Sequence, residues 1–130
     1  MGSERQRILV SAAIVALLVG ATVAVYAVDQ SGEGRVEAIE GRAVFLTKGC
    51  TACHSLQGVS ETAQIGPNLT GLSDRAGDRI PGLSAEEYVR QSVLEPQAFI
   101  VEEFTGIEMP TLPMTTEELG MLVEFVLNES

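Results

Sequence analysis

The sequence predicts an all-α protein: an N-terminal membrane-spanning helix followed by one small domain of about three to five helices joined by long loops. Three observations predict this. Residues 8–28 form an apolar run without a charge. Two Ser/Thr-x-x-Glu boxes each open a short amphipathic segment. No convincing pair of alternating apolar and polar segments exists to form strands. A chain of 130 residues holds at most one ordinary globular domain beside such an anchor.

The first element is the run "ILVSAAIVALLVGATVAVYAV". Its 21 residues, at about 1.5 Å each, are long enough to cross a hydrocarbon core of roughly 30 Å. Tyr26 lies near its outer end, where an amphipathic ring suits the headgroup layer. Arg5 and Arg7 precede it and Asp29 follows, so the positive-inside bias places the N-terminus in the cytoplasm and the rest outside. A cleaved secretory signal is the competing reading, with Val25-Tyr26-Ala27 as a small-residue cleavage site. The run exceeds the 7–15 residues of a usual signal core, which favours a retained anchor. Residues 1–28 are thus read as cytoplasmic N-terminus and anchor. Residues 29–35, "DQSGEGR", read as a flexible linker reaching only ~25 Å at about 3.3 Å per extended residue. Residues 36–130 form the domain.

Within the domain, Val36, Ile39, Ala43 and Leu46 recur at helical spacing and carry the chain to Gly49, a suitable helix stop, and Cys50. From residue 55 to 83 there is little period of either kind. A structureless stretch of that length makes sense if it wraps a large ligand, so that the core is partly non-protein. Ser84 and Glu87 form a capping box before "EEYVRQSVL", which Pro96 ends. Thr115 and Glu118 form a second, before a helix with Leu119, Leu122, Val123 and Val126 on one face. Between these helices runs an extended, Pro-punctuated segment, "PQAFIVEEFTGIEMPTLP".

Composition excludes several functions. There are 18 acidic against 8 basic residues, so no basic patch exists to bind nucleic acid. Two cysteines are too few for a disulfide framework, and with four Phe, two Tyr and no Trp a core built from protein alone would be thin.

Both cysteines and the only histidine fall within Cys50-Thr51-Ala52-Cys53-His54. A thioredoxin-type pair needs a βαβ setting, which is absent. A structural zinc site needs two further ligands, and no further Cys or His exists. The spacing C-x-x-C-H is the signature of covalent haem c. Thiols three positions apart each add to one of the macrocycle's two vinyl groups, and the adjacent imidazole of His54 then sits under the iron.

With these residues the chain resembles the monohaem class I cytochrome c family, over nearly all of residues 36–130. The matching pieces are "GRAVFLTKGCTACHSL", "GPNLTGL" (66–72), the pair Met109-Pro110 and the terminal "LGMLVEFVL". The resemblance implies that the first and last helices cross at Gly41, Phe45 and Phe125, the last standing where a Tyr is more usual. It also implies that Pro67 offers its backbone carbonyl to the imidazole N–H of His54, orienting the ligand and raising its basicity.

For the sixth ligand, Met1 is the initiator and Met121 lies within the last helix. Met109 is followed by proline as in the family's ligand loop, and an extended backbone there projects a side chain inward. Met114, just before the helix cap, is the alternative, with packing beneath the helix its simpler role. Arg75, Arg79, Tyr88 and Gln97 are placed either to meet the haem propionates or simply to lie on the surface. His/Met ligation raises the reduction potential and closes the iron to substrates, which suits one-electron transfer.

The expected function is therefore a membrane-anchored electron carrier, without a small-molecule substrate of its own and not an enzyme alone. It would work between a quinol-oxidising complex and a terminal oxidase or photosynthetic reaction centre. A close alternative is a fixed monohaem subunit of a larger complex, since "YVRQSVLEPQAFIVEEFTGIEMP" resembles oxidase-linked cytochrome domains. A third reading is a five-coordinate haem sensor or peroxidase-like enzyme, which requires that neither Met109 nor Met114 bind iron.

Overall fold

The computed structural model describes residues 2–129, apart from the side chains of residues 2, 3, 5, 6, 25, 27–35 and 37. Every regular element among them is helical: α1 (Gly2–Thr47), α2 (Ala85–Leu94) and α3 (Thr116–Asn128), with single 3-10 turns at Cys50–Ala52, Ala76–Asp78 and Glu102–Phe104. One isolated antiparallel bridge joins Leu56 and Ser60. The chain divides into two compact units, Met1–Val36 and Glu37–Ser130.

In the first unit, Arg7–Ala24 has a mean hydropathy of 2.2 and no buried residue. It is the one helix among the described residues long and apolar enough to cross a membrane. The flanking charges of Arg5 and Asp29 fall on side chains outside the described residues. The backbone of 29–35 is helical rather than the irregular linker expected. Prolonging a helix already nucleated adds one hydrogen bond per residue without a second nucleation cost. That gain offsets the roughly 1 kcal/mol that Gly32 and Gly34 each cost in a helix interior.

The second unit shows a different buried face on α1 from the one its apolar spacing suggests. Ile39, Ala43 and Leu46 are exposed, as is Val36 at the end of the first unit, whereas Gly41, Val44 and Phe45 are buried. A glycine adds nothing to a hydrophobic pattern, yet here its missing side chain creates the contact. A Cβ at Gly41 would fall 2.5 Å from Phe125 Cβ and closer still to Met121 O of α3. The helices therefore touch backbone to backbone, and Phe45 packs on Phe125 with ring centroids 5.8 Å apart. Both rings are almost wholly buried. Gly41→Ala is expected to wedge this crossing open. Overpacking costs about 1–3 kcal/mol, and in a domain of this size that lowers Tm by roughly 5–20 °C, to be read by thermal unfolding of the holoprotein.

Both capping boxes are present. Ser84 Oγ accepts from Glu87 N–H at 3.2 Å while Glu87 Oε2 accepts from Ser84 N–H at 2.7 Å. At α3, Thr115 Oγ1 accepts from Glu118 N–H at 3.1 Å and Glu118 Oε2 from Thr115 N–H at 2.8 Å. These reciprocal bonds satisfy helix N–H groups that would otherwise lack partners. Leu119, Leu122, Val123, Phe125 and Val126 form the buried face of α3. Lys48, just past α1, ties the two helices' ends together: its Nζ donates to Pro113 O and pairs with Glu118, each at 2.9 Å. Lys48, followed by the Thr115 N–H, holds the Glu118 carboxyl below its usual range.

Candidate functional site

Helix α1 ends where Gly49 takes a left-handed φ of +78°, a conformation that costs glycine no Cβ clash. The chain then turns sharply: Cys53 N–H donates to Cys50 O at 3.2 Å and His54 N–H to the same carbonyl at 2.9 Å. This single turn brings Cys50, Cys53 and His54 to one wall of a cavity of about 220 Å³.

Burial is the main cause that pushes the Cys50 thiol above its ordinary pKa, with the neighbouring Cys53 adding to it. Cys50 also follows the C-terminal end of α1, the negative end of the helix dipole, which disfavours a thiolate. Both features are the opposite of those that activate a redox dithiol. Among the described residues, no three of His, Cys, Asp and Glu gather as a metal-ion site.

His54 is held from two directions. Its Nδ1 lies 2.8 Å from Pro67 O. A carbonyl only accepts, so Nδ1 carries the proton and Nε2 keeps its lone pair. Burial lowers the imidazole pKa, partly countered by the Pro67 bond, and so favours the neutral ring. Gly66 packs its backbone flat on the ring: a Cβ there would fall 2.7 Å from Cε1 and 3.0 Å from Nδ1. Gly66 N–H also donates to Cys53 O at 2.8 Å, stitching the two segments together.

The carbonyls around Pro67 are fixed in turn by Arg75, whose Nη1 donates to Thr70 O at 2.8 Å and Nη2 to Asn68 O at 2.5 Å. Gln97 Nε2 donates to Met109 O at 3.3 Å, placing the backbone of the methionine loop. Of the four residues suggested by position as propionate partners, these two are engaged with backbone carbonyls. Tyr88 is buried edge-on to Phe99, with centroids 5.9 Å apart. Arg79 lines the cavity, and its buried Nε has no hydrogen-bond acceptor among the described residues.

The methionines separate. Met109 lines the cavity that His54 enters. Met114 and Met121 pack instead against the core formed by α1, α2 and α3. Gly66, Arg75 and Gln97 act through backbone contacts, and only the position of Gly66 beside Pro67 hinted at this from the sequence.

The cavity can be compared with the haem that C-x-x-C-H predicts. A cavity of about 220 Å³ is far larger than the voids a close-packed, protein-only core leaves. The walls suit a large apolar ring, with Leu69, Leu72, Val89, Val93, Leu122 and Val126 among them. The unsatisfied Arg79 Nε suits an anionic edge. The residues fit the group.

The family model of cytochrome c matches residues 38–130, the second compact unit almost entirely. No curated protein sequence matches the chain. With nearly three quarters of its length matched, the chain belongs to the cytochrome c family, whose members carry haem c bound covalently.

Proposed function

We propose that the chain is a membrane-anchored one-electron carrier, with its haem attached at Cys50 and Cys53 and its iron bound by His54 and Met109. The observation that carries this reading is the cavity that collects these four residues from two distant loops while leaving Met114 and Met121 in the core. Haem iron, when bound, supplies a single-electron couple between its ferric and ferrous states.

The residues of the chain account for the rest. His54 presents an unprotonated Nε2 because Pro67 O accepts the Nδ1 proton and burial disfavours the imidazolium. Gly66 and the Pro67 carbonyl fix the ring's orientation. Met109 offers a soft thioether, which favours the ferrous state. The apolar walls keep water out, which limits reorganisation between oxidation states and raises the potential further. Arg79, which lines the cavity, would hold a haem carboxylate. With His54 and Met109 both holding the iron, the haem would supply electron transfer without bond-making, as a carrier requires.

The approach of Gly66 gives a test of the proximal side. Gly66→Ala is expected to push the imidazole off Pro67 and weaken the hold that His54 would have on the iron, as loss of an outer hydrogen-bond partner does. The loss is read as high-spin character in the absorption of the ferric protein.

The first unit supplies the anchor, with the N-terminus cytoplasmic and the haem domain on the extracytoplasmic face. Its donor is proposed to be a quinol-oxidising complex and its acceptor a terminal oxidase or reaction centre. From residue 29 onward the chain has 17 carboxylates, all but Glu4, and 6 cations, all but Arg5 and Arg7. Steering works only toward a basic surface and is screened beyond ~8 Å at physiological salt. Confinement beside a co-anchored partner raises the encounter rate at any salt. The chain cut after Val28 and exported free is therefore expected to deliver electrons in native membranes far more slowly at micromolar concentration and physiological salt. Equal delivery by the freed domain would remove the anchor from the mechanism.

A further inference from the structure

The last turns of α1 are apolar on two faces. Gly41 and Phe45 pack on α3. Ile39, Ala43 and Leu46 lie on the other side of the helix and are exposed, Ile39 by 62% and Leu46 by 47%. None of these three lines the haem cavity. Single exposed aliphatics are ordinary on a protein surface. Three on one helix face make a stripe, and a helix apolar on both sides is one that is covered on both.

The stripe matches a second copy of itself. Ile39, Ala43 and Leu46 recur at intervals of four and three, the pattern along which two parallel helices interlock. The positive-inside bias inserts every copy in the same sense, so two copies in one membrane carry like elements in a like direction. Glu40 and Arg42, both exposed, stand on opposite flanks of the stripe. Arg42 keeps its charge while its Nη2 donates to Gly58 O at 3.1 Å. A two-fold pair sets each flank against the opposite flank of the other copy, so acid meets base along both edges. A strongly acidic or strongly basic partner gains nothing from a face with one charge of each sign.

We propose that the outer face of α1, Ile39, Ala43 and Leu46 flanked by Glu40 and Arg42, pairs with the same face of a second copy of this chain in the membrane. The proposal rests on the anchored reading above. Three apolar side chains from each copy fall short of the roughly 1,200 Å² that a stable free interface buries. Confinement in one membrane supplies the effective concentration that so small a contact lacks. The seam leaves the haem site open, because the α1 residue that lines the cavity is Phe45, on the other side of the helix.

The test places single cysteines in the full-length chain in its own membranes. Ala43→Cys is expected to give, under mild oxidation, a disulfide-linked, haem-staining band at twice the chain's mass that contains two differently tagged copies. Leu46→Cys, on the same face, should do the same. Glu117→Cys, exposed on α3, should stay at single mass. Adding Ile39→Glu and Leu46→Glu to the Ala43→Cys variant sets like charges across the seam and should cut the band about tenfold or more. Both positions are exposed, so the haem absorption and thermal unfolding of that variant should match those of Ala43→Cys alone. A band that withstands Ile39→Glu with Leu46→Glu, or a linked band at another mass, overturns the second copy as occupant. So does Ala43→Cys protein that stains for haem, takes up a maleimide label in the membrane and stays at single mass. Wild-type chain found outside the membrane without residues 1–28 overturns the anchored reading itself, and the pairing with it.

Discussion

Replacing Cys50 and Cys53 together by Ala is expected to leave a domain without covalent haem and largely unfolded. The domain's own apolar core, Val44, Phe45, Leu56, Leu72 and the faces of α2 and α3, surrounds the cavity rather than filling it. Without the cofactor, the apolar walls of the cavity lose the surface they pack against, and a domain of this size has little stability to spare. The loop from residue 55 to 83 then loses what orders it. Leu56, Leu72 and Ala76 are its buried anchors, and Leu69 and Leu72 both face the cavity. The measurement pairs haem staining of the denatured chain with helix content by circular dichroism. The double variant should lose the stain and most of the helical signal from residues 37–129, while the apolar helix persists in detergent. A double variant that stays folded without haem would show that the protein core is self-sufficient.

Met109→Ala is expected to change the iron and leave the fold largely in place. Met109 contributes a side chain to the cavity, whereas Leu119, Leu122, Phe125 and Val126 hold α3 without it. The ferric protein should lose the weak near-red band of thioether ligation. The ferrous protein should bind carbon monoxide at neutral pH. Its potential should fall by a sizeable share of the roughly 0.8 V range that axial ligands span. Met114→Ala should retain the band and cost about 2–5 kcal/mol of packing at most, because Met114 lies against the core. The reverse pattern would move the ligand to Met114. Carbon monoxide binding by the wild type would favour the five-coordinate reading.

How far the sequence reveals all this depends on whether a feature resides in side-chain pattern or in backbone. The capping boxes at Ser84 and Thr115 and the buried face of α3 were legible, because caps and apolar periodicity are written in residue type. C-x-x-C-H was legible because haem attachment demands those residues at that spacing. The buried face of α1 was not legible from its apolar spacing. Val36, Ile39 and Leu46 repeat at helical intervals, but the helix turns Gly41 inward, and a contact made by an absent side chain leaves no hydrophobic signal. Gly66 is similar: its closeness to His54 follows from a loop path that no periodicity records. Residues 29–35 look like linker by composition and are helical by continuation from the turns before and after them. Gln97 and Arg75 were legible as polar groups near the site, but their partners, the carbonyls of Met109, Thr70 and Asn68, are set by chain path alone.

The pairing of His54 with Met109 is tested most directly by a mediated redox titration of the full-length chain in detergent, followed through the haem absorption. It predicts a single wave with the slope of one electron, at the potential of a histidine and methionine pair, and well above that of the Met109→Ala variant. A two-electron slope, or a wave unchanged when Met109 is replaced, would contradict it.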